Sequence, residues 1–393
     1  MKVKEFNSWI TDSLSEIKNS NLHRRLIEIS SSMGPEVTID KKKYYQFASN
    51  NYLGLTTNSA VINSSVSSSK KFGTGTGGSR LVTGTSNLHS KLESEIAKFK
   101  KTKDSILFSS GYLASIGTIS SIMNKDDIIF SDELNHACLI DGAKLSKSRV
   151  VIYKHTDMKD LESKLKKYKS LKVKKMIVTD SVFSMDGDIA PLDKIVVLCK
   201  KYGCISMIDE AHATGVLGES GSGASEMFKL QNEIDICMGT LSKAVGSIGG
   251  YVAGSDELID FLKNKARSFI FDTSLPAGAL SASLKSISII KSKPQLRLNL
   301  NKNIKYLKKY LSNSRFSFLD FPTPIIPVIL GDEKKALKFS RLLLKNRIFV
   351  PAVRPPSVPK GESRIRITLM ATHKKHHIDK LINVMKELER SIY

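Results

Sequence analysis

From residue 105 onward the chain alternates short apolar runs with longer amphipathic ones. The apolar runs lie at 105–108, 127–130, 150–153, 175–180, 204–209 and 234–238. Each is four to six residues long and flanked by polar or turn residues, the pattern of a strand buried on both faces. Helical spacing fills the intervals. Strands that alternate with helices predict an α/β unit with a mostly parallel sheet flanked by helices. The rhythm changes after Leu280. A helix at 278–291 leads into a lysine-rich helical stretch, then a strand at 325–330, a helix at 333–346, a strand at 364–369 and a closing helix at 378–392. That half predicts a smaller α+β domain.

The N-terminal segment differs from both. Phe6, Trp9, Ile10, Leu14, Ile17 and Leu22 fall near helical spacing and predict one amphipathic helix over 3–31, packed on the body or on a partner subunit. A hairpin is predicted over 37–47, and a helix over 89–99. The expected division is 1–45 for the N-terminal helix and hairpin, 46–280 for the large domain and 281–393 for the small one.

Composition narrows the class. The 393 residues are 41% hydrophobic, enough for sizeable cores. Lys+Arg number 61 against 38 Asp+Glu, a formal charge of +23. Such a charge permits nucleic-acid binding, but the lysines are spread along the chain, with no basic tail and no aromatic-interleaved RNA motif. Solvated helix faces account for them better. Cys138, Cys199, Cys204 and Cys237 form no CxxC pair and lack histidines at zinc spacing, so they read as buried thiols. No apolar stretch reaches ~18 residues and no signal-peptide core is present, which predicts a cytoplasmic protein with no membrane partner.

The run 73–80 matches GxGxxG. A dinucleotide loop needs a strand before it and a helix after it, and neither flank fits. A flexible glycine loop that approaches a ligand or a neighbouring subunit fits better.

Chemistry collects beyond the carboxyl ends of the predicted strands, where parallel sheets bind ligands. Lys243 stands in Gly239–Gly246, among small and hydroxyl residues after an apolar run. Alone it reads equally as a surface turn or as an amine that forms a Schiff base with an aldehyde cofactor. Gly111 and Tyr112 stand at a helix start suited to a phosphate. His136, Asp209 and His212 follow other strands. His136 also suits a helix cap, and Asp209-Glu210 a helix N-terminal charge pair. Asp186 and Asp188 lack a third ligand at metal spacing, so no metal is expected. A lysine, an anion nest, a carboxylate and a stacking group together suit pyridoxal 5′-phosphate, whose ring nitrogen needs a carboxylate partner.

The motifs SNNYLGL (49–55), SDELNHA (131–137), FSMDGDIAPL (183–192), IDEAHATGVLG (208–218) and GTLSKAVG (239–246) resemble those of the α-oxoamine synthases. These are fold-type I pyridoxal phosphate enzymes that join an amino acid to an acyl thioester. The resemblance implies a homodimer with active sites at the subunit interface. It implies that Lys243 bonds the cofactor, Asp209 pairs with the ring nitrogen, His212 meets the ring hydroxyl and His136 stacks on the ring. Gly111 and Tyr112 would line the cofactor pocket, Ser184 and Thr240 would bind near the ring and phosphate, and Thr273 would reach the neighbouring subunit's cofactor phosphate. Arg366 would hold the amino-acid carboxylate, with Asn50, Ser357 and Arg24 at the substrate; His23 and Arg25 compete with Arg24 for its role. The segment 353–361, VRPPSVPKG, is similar to the branch that joins L-alanine to a pimeloyl thioester, on coenzyme A or an acyl carrier protein, in biotin synthesis. Glycine-using branches are the alternative. A nucleic-acid-binding protein on an inactive enzyme fold is the alternative from another class.

Overall fold

The computed structural model describes residues 3–20, 22–24 and 26–392. The chain begins with α1 (Val3–Asn19), β1 (Glu36–Ile39), β2 (Lys42–Gln46), α2 (Ser59–Phe72) and α3 (Asn87–Lys100). The central unit follows: β3 (Asp104–Phe108), α4 (Gly111–Ile122), β4 (Ile128–Asp132), α5 (Ala137–Leu145), β5 (Arg149–Tyr153), α6 (Met158–Lys167), β6 (Lys175–Asp180), α7 (Leu192–Tyr202), β7 (Ile205–Asp209), α8 (Ala224–Met227), β8 (Ile236–Thr240) and β9 (Gly250–Gly254). Then come α9 (Asp256–Lys265), α10 (Arg267–Ile270), α11 (Ala277–Ser292) and α12 (Gln295–Leu311). The chain closes with β10 (Ser317–Phe318), β11 (Ile325–Gly331), α13 (Glu333–Lys345), β12 (Ile348–Phe349), β13 (Ala352–Val353), β14 (Ser363–Thr368) and α14 (Lys375–Ile392).

The central sheet has seven strands in the order β3-β9-β8-β7-β6-β4-β5. The pairs from β8 through β5 are parallel. β9 runs antiparallel to both neighbours, β3 and β8. Alternate residues along the strands feed two cores. Leu107, Phe130, Ile177 and Ile208 pack on one face, and Ile106, Ile129, Met176 and Met207 on the other. Both faces are therefore dry, as the continuous apolar runs require.

Two smaller sheets lie outside this one. β10-β11-β14-β13 is antiparallel, with α13 against it and α14 against α13 and α12. The hairpin β1-β2 pairs through β2 with β12, in parallel. Residues near the amino end are thus held by residues some three hundred positions later.

Two expectations need correction. The first helix ends at Asn19, and the described residues after Ser20 are irregular up to β1. Asn19 and Ser20 are weak helix formers that compete for backbone hydrogen bonds, and they stop a helix that the apolar spacing alone would extend. Asn21 and Arg25, inside that predicted helix, lie outside the described residues. Second, β9 was not expected. Its sequence GYVAG carries glycine at both ends and reads as turn-rich. Among the described residues no helix is long and apolar enough to cross a membrane.

Candidate active site

The carboxyl ends of β6, β7 and β8, with the loop after β4, converge on one face. Asp180 and Asp209 end adjacent strands in register, and both are buried. Asp180 accepts the backbone N–H of His136 at 2.7 Å, and its own N–H donates to the side chain of Asn135 at 3.0 Å. Asn135 in turn donates to Ser131 Oγ and the Val178 carbonyl, both at 2.9 Å. The His136 loop is therefore pinned to the strand ends. Asp209 accepts the N–H of Ala211 at 2.7 Å, and the Cys138 thiol lies 3.8 Å from its other oxygen. Burial raises both carboxyls above the ordinary range. Asp209's charge raises Asp180 further, whereas Lys243 holds Asp209 down.

Lys243 sits in the turn from β8 to β9. Thr240 Oγ donates to the Gly249 carbonyl at 2.9 Å, and Gly246 N–H closes on the Lys243 carbonyl at 2.9 Å. Burial pushes the Lys243 amine below its usual range, against the pull of Asp209 and Asp180. A neutral amine is the nucleophilic form. Its Nζ lies 2.8 Å from His212 Nε2, and His212 Nδ1 lies 2.6 Å from the Tyr52 hydroxyl. His212 is buried and, chiefly for that reason, held well below its usual pKa; Lys243 and Arg366 add to the effect.

Arg366 closes the far side. It donates to Asn50 Oδ1 at 3.1 Å, Thr368 Oγ1 at 3.0 Å, the Ser184 carbonyl and the Tyr52 hydroxyl at 3.4 Å. Among the described residues no carboxylate pairs with it. Arg364, two positions earlier, differs: it bonds Asp186 at 2.5 Å and Glu362 at 2.8 Å. Asp188 is also engaged, with His155 at 2.9 Å.

The structure thus brings together Lys243, His212, Asp209, His136, Asn50, Arg366 and the Ser184 carbonyl. His136 caps α5, with Nδ1 accepting the Cys138 N–H. Thr240 stands beside Gly111 at the start of α4. A Cβ on Gly111 would lie 3.2 Å from Thr240 Cβ, so glycine keeps that cradle open. Tyr112 is exposed and its hydroxyl bonds Asp141. Thr273 is exposed and bridges to Ser79, which ends the glycine-rich run. Ser357 and Arg24 are exposed, and the hydrogen bonds that tie the cluster together do not include them. The sequence reading gave no site role to Tyr52, Asp180 or Cys138, the last read only as a buried thiol, which it is. Asp180 carried a signal, an acidic residue at the end of a predicted strand next to another such strand.

The chemistry of this donor set fits pyridoxal phosphate. It offers a depressed amine for an aldehyde, a buried carboxylate for a ring nitrogen, a neutral imidazole for a hydroxyl and free N–H groups at the start of α4 for a phosphate. A second cluster suits a metal less well. Glu36, His376 and His377 bring ligand atoms within 4.8 Å of one another. His377 Nδ1 accepts the Lys374 N–H at 3.2 Å, so its Nε2 keeps a proton and donates to Glu36 at 3.3 Å. That occupies the lone pair a metal needs.

Residues 42–385 match the model of the family described as aminotransferase class I and II. The 8-amino-7-oxononanoate synthase of Lysinibacillus sphaericus is 50% identical, with 96% of this chain and 97% of that one covered. The 8-amino-7-oxononanoate synthase 2 of Bacillus subtilis is 45% identical, over 99% of each. Among solved structures, a serine palmitoyltransferase from S. paucimobilis with bound PLP-myriocin aldimine superposes with a TM-score of 0.93 at 29% identity, covering 100% of this chain and 99% of that one.

Proposed function

The chain belongs to the aminotransferase class I and II family, and from that premise we infer a pyridoxal phosphate-dependent acyltransferase that condenses L-alanine with a pimeloyl thioester to give 8-amino-7-oxononanoate, carbon dioxide and the free thiol. The observation that supports it most is the pairing of two unlike cations in one site. Lys243 is a depressed amine beside two carboxylates, and Arg366 is a guanidinium left with neutral acceptors. An amino acid needs both, a group that handles its Cα proton and a fork that holds its carboxylate.

Lys243 would bond the cofactor's aldehyde, Asp209 would face its ring nitrogen, His212 its hydroxyl, and the start of α4 with Thr240 its phosphate. When bound, pyridoxal phosphate supplies the electron sink for charge developing at the amino acid's Cα. Asp209 would serve this as a buried carboxylate; burial raises its pKa, and Lys243 opposes the rise. Lys243 Nζ, once free, is the base for the Cα proton. Arg366 clamps the carboxylate and so fixes which Cα bond is presented, a positioning effect worth orders of magnitude in rate. His136, an exposed residue whose imidazole is kept below its usual pKa chiefly by desolvation, would cover the face of a planar ligand.

The site also supports a homodimer. Ile62 and Val66 on α2 and Ile248 after Lys243 are exposed apolar side chains that line one cavity, Leu81 and Val82 beyond the glycine run are exposed as well, and Phe271 is 71% exposed beside Thr273. Such a patch marks an interface.

The test is a matrix of L-alanine, glycine and L-serine against pimeloyl, acetyl, succinyl and palmitoyl thioesters, followed by thiol release. Alanine with the pimeloyl thioester is expected to lead by tenfold or more. A lead for glycine with acetyl or succinyl, or for serine with palmitoyl, would overturn the substrate assignment and leave the family in place.

A further inference from the structure

One hydrogen-bonded chain runs unbroken from the reactive amine to the carboxylate fork. Lys243 Nζ meets His212 Nε2 at 2.8 Å, His212 Nδ1 meets the Tyr52 hydroxyl at 2.6 Å, and that hydroxyl meets Asn50 Oδ1 at 3.2 Å and Arg366 at 3.4 Å. Tyr52 is wholly buried. We propose that Tyr52 is a positioning residue that links carboxylate binding at Arg366 to the protonation of Lys243, through the direction of its single O–H. The inference rests on the reading of Lys243 and Arg366 given above.

The hydroxyl has one proton and two acceptors to choose between. When it donates to Asn50, His212 carries its proton on Nδ1 and donates to the tyrosine oxygen. His212 Nε2 is then bare and accepts from a Lys243 ammonium. When the hydroxyl donates to His212 Nδ1, the imidazole proton is on Nε2 and points at Lys243, which must then be a neutral amine. A neutral imidazole has one N–H and one lone pair, so the two directions exclude each other. The Nε2–H direction requires a neutral Lys243, whereas the bare Nε2 accepts from Lys243 and most strongly from its ammonium form.

Arg366 biases the choice. Its N–H groups now share Asn50 and Tyr52. A carboxylate that draws those donors away leaves Asn50 Oδ1 a better acceptor for Tyr52, which turns the chain towards the ammonium state. Neutralising the guanidinium acts in the same sense, since its charge opposes that of Lys243. Other charged or titratable groups around Lys243 and His212 are Asp209 on β7, Asp180 on β6, and His136 and Cys138 at the start of α5. None of these bonds both His212 and Arg366 among the described contacts, which leaves Tyr52 as the bridge. By reciprocity, protonated Lys243 tightens carboxylate binding by the same factor.

The experiment uses full-length protein labelled with [15N]histidine and propionate, a carboxylate without an amine. The pH at which His212 changes tautomer is expected to rise with propionate by about 1 unit, an ordinary coupling between sites. In Tyr52→Phe, which keeps the buried ring, the propionate effect should fall to less than half. In Asn50→Leu, which removes the competing acceptor, His212 should stay protonated on Nε2 with or without propionate. An undiminished effect in Tyr52→Phe, or none in the parent protein, would overturn the proposal. Cofactor-loaded protein, in which Lys243 would be bonded and His212 would face the cofactor, is followed separately by its visible band. A parent protein that gives no such band counts against the pyridoxal phosphate reading, while the histidine spectra still decide the link.

Discussion

His155 is bracketed by two carboxylates, Asp132 at 2.8 Å and Asp188 at 2.9 Å. Burial works against its charge, yet those hydrogen bonds raise its pKa to about 10. A free histidine titrates near 6.5. The stabilisation is therefore full below pH ~6.5, falls as pH rises between ~6.5 and about 10, and is gone above. Replacing His155 by Gln should cost about 2 kcal/mol at pH ~6, the value of a charge-assisted bond, with the gap to the parent closing towards pH ~10. Urea unfolding across that range measures it. His155 stands two residues beyond a predicted strand, yet nothing near it in sequence announces the second carboxylate. Lys243, Asp209 and His212 were legible because strand ends of a parallel sheet are where ligands bind. Tyr52 and Cys138 were not, because their parts depend on partners 160 and 71 positions away.

At the scale of elements, the end of α3 is tied to the end of β7 by a buried ion pair. Lys100, the last residue of α3, reaches Glu210, Thr214 Oγ1 at 3.0 Å and the Ser222 carbonyl. Glu210 also accepts the Ser225 N–H at 2.7 Å. Asp209 therefore faces Lys243 while its neighbour Glu210 holds the loop behind it. Lys100→Met should cost about 3–5 kcal/mol by stranding a buried carboxylate, and adding Glu210→Leu should recover much of it. Midpoints of urea unfolding compare the two. Most strands were readable from their apolar runs. β9 was not, and packing explains why: a Cβ on Gly250 would fall 2.4 Å from the Ser110 carbonyl, and one on Gly239 would fall 2.3 Å from the Tyr251 hydroxyl. Gly250, one of the glycines that hide β9 from periodicity, lets it fit against the start of α4, and Gly239 on β8 leaves room for Tyr251 of β9.

The whole molecule carries its charge unevenly. Residues 281–393 hold 24 Lys+Arg against 7 Asp+Glu, so the first 280 account for only +6 of the +23. The lysines noted along the whole chain thus weigh most on the C-terminal part, the part that bears Arg366. An anionic thioester should be drawn to that half, and its kcat/KM should fall several-fold between about 20 and about 200 mM salt, while that of zwitterionic alanine changes little. The exposed apolar patch predicts the assembly. The protein should sediment as a dimer, and Ile62→Glu with Val66→Glu should yield a monomer with little turnover. α1 belongs to the same question, since Trp9 stacks with Phe6 and remains 59% exposed.

The reversal of β9 bears on how the protein is made. Every parallel pair in the central sheet joins strands separated by a crossover, and β3 must wait for residues synthesised some hundred and forty positions later. β8 and β9 alone close on each other through a short turn, with Thr240 opposite Gly250. Contacts between residues near in sequence form with the least loss of chain entropy and so tend to form early. Lys243 lies inside that turn. The amine is thus seated by a local event, and the acidic residues reach it through parallel pairings that each wait for a crossover, Asp180 with Asp209 and Asp209 with Met238. In pulse-labelled hydrogen exchange during refolding, amides of β8 and β9 that face each other should be protected before those joining β6 to β7.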